Sequence, residues 1–85
     1  MVTIKHIEKA INLLNKKKGL PLEPHSRVNG KMQSCVGNYH LEQGAGGYQL
    51  AQIANEHGAC NHASVGGYVS KRELYNQISA IINNL

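Results

Sequence analysis

Aspartate, phenylalanine and tryptophan are missing from this 85-residue chain, and it has only two cysteines and two prolines. Without aspartate, acid chemistry falls to five glutamates. Only Glu42 and Glu56 lie centrally, and nothing in the sequence sets their separation as a glycosidase pair would require. Without Phe and Trp, the core must come from Ile, Leu, Val and four Tyr. At this length that means one modest core and one domain, residues 1–85. A homo-oligomer is one way for such a core to gain further burial. Cys35 and Cys60 do not make a disulfide framework, Met1 opens no apolar leader, and no run approaches the roughly 20 apolar residues that span a bilayer. A reduced cytoplasmic protein, away from membranes, is the expectation. A hydrophobic fraction of 41% with 16% charged residues argues against wholesale disorder.

Positive charge is also missing from one stretch. Residues 37–68 contain no Lys or Arg, although the chain carries a net charge of +4. The excess sits in the first 31 residues, on Lys5, Lys9, Lys16, Lys17, Lys18, Arg27 and Lys31 against Glu8 and Glu23. Such a flank suits a solvated helix face, and it also suits nucleic acid. What residues 37–68 hold instead is seven of the nine glycines, three of the five histidines and three of the four tyrosines. GGY occurs twice, at Gly46-Gly47-Tyr48 and Gly66-Gly67-Tyr68.

The flanks read as scaffold. Thr3 can cap a helix whose apolar positions Ile4, Ile7, Ile11 and Leu14 recur at three and four residues, widened by Ala10 and Leu13. Gly19, Leu20 and Pro21 stop it. Asn29-Gly30 predicts a two-residue type I′ hairpin between strands at His25–Val28 and Lys31–Leu41, with a bulge at Gly37. Residues 43–47 read as a loop. Leu50, Ile53, Ala54 and His57 have helical spacing, which predicts a short helix from near Tyr48 to Gly58. Ser64–Val69 is a candidate strand. Ser70 and Glu73 form a capping-box pair ahead of a last helix carrying Leu74, Ile78, Ile81 and Ile82. The fold expected is α+β, with N- and C-terminal helices packed on a small antiparallel sheet around a glycine-rich centre.

Three chemistries are candidates for that centre. His57, Cys60 and His62, with Cys35 and His40 in reserve, are metal-ligand types, but H-x-x-C-x-H is not a usual zinc spacing. Cys35 and His40 would lie on opposite faces of one strand, which argues against a nucleophile–base pair, while Cys60 could meet His57 or His62 in a loop. Anion binding is the more natural use of Gly44-Ala45-Gly46-Gly47 before a helix, because free N–H groups there attract phosphate. Ser70-Lys71-Arg72 offers a second helix start. Both GGY triplets precede an expected helix, so two helix N-termini would face one pocket. The candidate ligand-binding set is Asn38, Tyr39, His40, Gly46, Gly47, Tyr48, Gly66, Gly67, Tyr68, Lys71 and Arg72, with tyrosines stacking on bases or sugars. No cofactor, metal or catalytic residue is assigned.

Leu13-Leu14-Asn15-Lys16 with Gly19-Leu20-Pro21, then Gly37-Asn38-Tyr39-His40-Leu41, Gly46-Gly47-Tyr48, Asn55-Glu56, Gly66-Gly67-Tyr68 and Ser70-Lys71-Arg72-Glu73-Leu74-Tyr75 resemble a group of short uncharacterised proteins of tailed bacteriophages and prophages. The likeness runs from about Ile11 to Ile82 and departs at His57-Gly58-Ala59, where that group is richer in glycine. It implies a small accessory protein in the cytoplasm of an infected bacterium, where such proteins bind host enzymes, nucleic acid or nucleotide signals. The expectation is a non-enzymatic binder of a phosphate-bearing ligand such as a nucleotide, countering host defence. The alternatives are a protein–protein module or inhibitor of a host protein, and a nucleic-acid binder using the basic first helix.

Overall fold

A computed structural model describes residues 1–85, the side chain of Val28 excepted. Helix α1 (Ile4–Lys17) is followed by strands β1 (His25–Val28), β2 (Lys31–Ser34), β3 (Tyr39–Gly44), β4 (Gly47–Ile53) and β5 (Cys60–His62), and by helix α2 (Lys71–Asn83). Strands β1 and β2 form a two-stranded hairpin, and β3, β4 and β5 an antiparallel meander. The fold is α+β. The two helices pack on each other and on one face of the meander, α1 against β3 and α2 against β4. Among the described residues no helix is long and apolar enough to cross a membrane.

Local chemistry explains the ends of the helices. The Thr3 hydroxyl accepts from the His6 amide, and the Thr3 amide donates back to His6 Nδ1, so an imidazole fills the place usually held by Glu or Gln. At the other end the Leu20 amide reaches Asn15 O and the Gly19 amide reaches Lys16 O, a Schellman pair made possible by φ +68° at Gly19. Ser70 Oγ accepts from the Glu73 amide and starts α2. Between the helices, Ile7, Ile11 and Leu14 of α1 meet Leu74 and Ile78 of α2, Tyr39 of β3 and Leu50 of β4 in one buried cluster. Each fully buried Ile or Leu contributes about 1.5–3 kcal/mol of transfer free energy.

The centre differs from the sequence reading in four places. The stretch expected as a short helix is strand β4, the middle strand of the meander. Leu50, Ile53 and Ala54 fit a helical period, but a short run buried on both faces fits either period, and pairing on both edges decides it. The expected glycine loop is a two-residue turn, Ala45-Gly46, with φ of +35° and +77°, and Gly44 and Gly47 are strand residues on either side of it. The expected long second strand is broken at residues 35–38, where Gly37 takes φ +94°, giving β2 and β3 in separate sheets. Ser64–Val69 is not a strand. The third strand is β5, and Val69 makes a single bridge to Tyr48.

Candidate functional site

The two GGY triplets, twenty residues apart in sequence, meet in space. Tyr48 and Val69 exchange both backbone hydrogen bonds at 2.8 Å. A Cβ on Gly47 would stand 2.9 Å from Val69 O and 3.0 Å from Tyr68 C, so Gly47 is needed for close approach of two backbones. Tyr68 then lies over Gly44, where a Cβ would come within 3.1 Å of its Cζ and Oη. Gly66 and Gly67, at φ +87° and +69°, turn the chain into this position.

From there the Tyr68 hydroxyl donates to Glu42 Oε1 at 2.8 Å, and Gln49 Nε2 donates to the same oxygen at 2.8 Å. His62 Nε2 stands 3.6 Å from it. These contacts, the Tyr68 hydrogen bond foremost and then that of Gln49, hold the Glu42 carboxyl below the usual carboxylate range, with the nearby His62 and His40 adding to the effect against a smaller opposing pull from burial. Donating to a carboxylate raises the Tyr68 phenol above its usual value. Register places His40 and His62 on either side of the fully buried Ala51, on the face of the meander that carries Glu42 and Gln49.

On the same face His40 Nε2 lies 3.9 Å from Cys60 Sγ, two residues that the sequence reading joined only as possible metal ligands and not as a nucleophile and base. The thiol also donates to Gly58 O at 3.3 Å. A nucleophile–base pair needs a third group to orient the base, and His40 Nδ1 is buried without a hydrogen-bond partner. His57 is exposed beside Glu56 at 3.8 Å, in a turn organised by Asn55. Among the described residues no three of His, Cys, Asp or Glu come together to hold a metal ion, so His57, Cys60 and His62 do not form the grouping considered from their spacing.

The remaining candidates fall elsewhere. Asn38 is buried, donating Nδ2 to Pro21 O at 2.8 Å, while its Oδ1 has no partner. Tyr39 is part of the core, and its hydroxyl accepts from Lys18 Nζ at 3.0 Å. Gly46 is the turn residue opposite Ala45. Lys71 sits with Nζ 5.8 Å from the centre of the Tyr48 ring, within cation–π reach, and Arg72 is exposed next to it. Because β4 is not a helix, only one helix N-terminus, that of α2, is present here. The two-terminus pocket does not form, and the glycine turn has no helix end to add to its amides.

The sequence reading gives Asn15 no role of its own, because it stands inside the apolar stripe of α1. It is fully buried, and its Oδ1 accepts from the Tyr39 amide at 2.8 Å while its Nδ2 donates to Tyr39 O at 3.0 Å. One amide side chain thus stands in for a neighbouring strand at the edge of β3. An Asn four residues after Ile11, where the helical period calls for an apolar residue, was the available signal.

Comparison with protein-family models, with curated proteins and with solved structures returns no match.

Proposed function

We propose that this chain is a small non-enzymatic binding protein of the bacteriophage accessory type, acting through contact with a host protein and serving to counter host defence. The observation that carries this reading is the apolar surface on and around the β1–β2 hairpin. Met32 is 64% exposed, Leu22 52% and Val36 52%, and none belongs to the core cluster. The hairpin forms its own sheet, joined to the rest by contacts such as Gln33 Nε2 to Glu56 Oε2 at 3.0 Å. Large apolar side chains held in water on a projecting element are the usual material of an interface core, and methionine adapts its shape to a partner. Exposed Arg27 and Lys31 on the same hairpin supply a polar rim. The test is affinity capture from a bacterial lysate with the wild-type chain and with a Met32→Ser, Val36→Ser variant. A stoichiometric protein retained by the first and lost by the second is the expected result. Capture of nothing stoichiometric, or equal capture by both, removes the reading.

A second reading is favoured by the meeting of the GGY segments at the start of α2. Lys71 over Tyr48, exposed Arg72 and the first amides of α2 offer positive charge and an aromatic face to a phosphate-bearing ligand such as a nucleotide. The carboxylate of Glu42 beside Tyr68 opposes an anion on the other side of that junction. Titrating nucleotides and cyclic dinucleotides while following the amide resonances of Tyr48, Lys71 and Arg72 decides it, since unmoved resonances at millimolar ligand leave no such site.

A further inference from the structure

The edge of β3 away from β4 is only partly covered. The Ile53 amide donates to Asn38 O and the Gly37 amide to Ile53 O, so Ile53 and every second residue before it turn their backbone groups toward β3. Leu50 turns away, its carbonyl accepting from Ala63 and its amide donating to Ser64 Oγ. Leu50 is the register partner of Leu41, which makes this the non-hydrogen-bonded kind of antiparallel pair. The N–H and C=O of Leu41 therefore point to the open edge, where they have no partner among the described residues. Two residues earlier the same edge is closed at Tyr39 by the amide of Asn15.

A groove of about 440 Å³ runs beside this edge, between α1, residues 22–24 and β3. Ile11, Leu22, Pro24 and Leu41 give it an apolar wall, and Glu8 and Glu23 are its only charged lining residues, with no Lys or Arg among them. An unpaired strand edge, an apolar wall and two carboxylates together match one kind of occupant.

We propose that the groove takes an extended peptide segment of a partner protein, added as a strand beside Leu41 and carrying Lys or Arg that faces Glu8 and Glu23. Main-chain hydrogen bonds to Leu41 supply the attachment, and alternate side chains supply the selectivity, an apolar one on Ile11 and Leu22 and a basic one at the carboxylates. The proposal rests on the reading of the chain as a protein-binding module, and it names a groove lined by Leu22 but by neither Met32 nor Val36.

A displayed library of random octapeptides, panned on the full chain, tests it. Enriched peptides are then made synthetically and titrated while hydrogen exchange at the Leu41 amide is followed. Expected are segments rich in Lys or Arg alternating with apolar residues, and at least tenfold slower exchange at Leu41 when bound. Glu8→Gln with Glu23→Gln should weaken binding about two- to thirtyfold, the range for two exposed ion pairs. Leu41→Pro, which removes the edge donor, should abolish it. Since that variant could also disturb folding, N-methylating the peptide at alternate residues serves as the second check on strand addition. No enrichment, enrichment of acidic segments, or binders that leave Leu41 exchange unchanged overturns the proposal. A host protein captured equally by wild type and the double glutamine variant also overturns it, and leaves the broader reading intact. Failure of that capture altogether removes the broader reading instead.

Discussion

Alanine at Gly47 and at Gly46 should differ sharply in cost, although the residues are neighbours in one glycine-rich run. At Gly46 the φ of +77° disfavours any side chain, but nothing stands within 4 Å of an added Cβ. The expected loss is that of one left-handed residue, about 1–2 kcal/mol. At Gly47 the φ is not left-handed, and the obstacle is backbone, with Val69 O at 2.9 Å and Val69 N at 3.0 Å. Neither atom can rotate aside, so the Tyr68–Val69 segment must lift from β4. Overpacking of this kind costs about 1–3 kcal/mol. Loss of the two hydrogen bonds between Tyr48 and Val69 adds about 1–3 kcal/mol at roughly 0.5–1.5 kcal/mol each, and the Tyr68–Glu42 contact is disturbed with them. A Gly47→Ala cost of about 2–6 kcal/mol is expected from urea unfolding followed by tyrosine fluorescence, with Tyr48 and Val69 amide exchange accelerated in the native state. Equal costs at the two positions, or unchanged exchange at Tyr48 and Val69, would refute the packing argument.

Three further outcomes follow from other contacts. Asn15→Ala leaves the Tyr39 amide and carbonyl buried without partners, so thermal or urea unfolding should show a loss of about 2–5 kcal/mol; a loss under 1 kcal/mol would mean that water or a shifted helix replaces Asn15. The lowered Glu42 pKa stabilises the fold above the ordinary carboxylate pKa of about 4.5, and that contribution disappears as pH falls through the folded value. The raised Tyr68 pKa stabilises it below about 10.0 and is lost as pH rises through the folded value. The melting temperature of Tyr68→Phe should thus trail wild type most between these limits and converge with it at both ends, and a constant gap from pH 3 to 11 would exclude the pair as the cause. Met32→Ser alone should change stability by no more than about 0.5 kcal/mol, and a larger loss would show that Met32 packs against the fold.

The scaffold was legible because its signals are local. Thr3, Gly19 and Ser70 mark helix ends by their own backbone chemistry, and Asn29-Gly30 has positive φ at both residues, +51° and +80°, as a type I′ turn requires. The centre was not legible because its structure is decided between distant segments. Whether Gly47–Ile53 is helix or strand depends on partners at residues 39–44 and 60–62, and no window around Leu50 contains them. The meeting of Tyr48 with Val69 is likewise a fact of packing. The sequence did mark residues 37–68 as unusual, with seven of the nine glycines. Its glycines let backbones touch and turn, whereas the residues lining the groove beside β3 come largely from α1 and the Leu22–Pro24 connector, outside the stretch that drew attention.

The packing of α1 against α2 bears on how the chain comes into being. Ile7, Ile11 and Leu14 find part of their cover in Leu74 and Ile78, so the first helix leaves the ribosome with an apolar stripe that its final neighbour cannot yet shield. At about 5–20 residues per second, the roughly 60 residues separating Leu14 from Leu74 take on the order of 3–12 s to make. During that interval the α1 segment, with five lysines on or beside it, has at most Tyr39 and Leu50 of its final cover. Its charge keeps it in solution and its stripe makes it a client for chaperones, so synthesis at low temperature or with trigger-type chaperones in excess should raise the yield of folded protein.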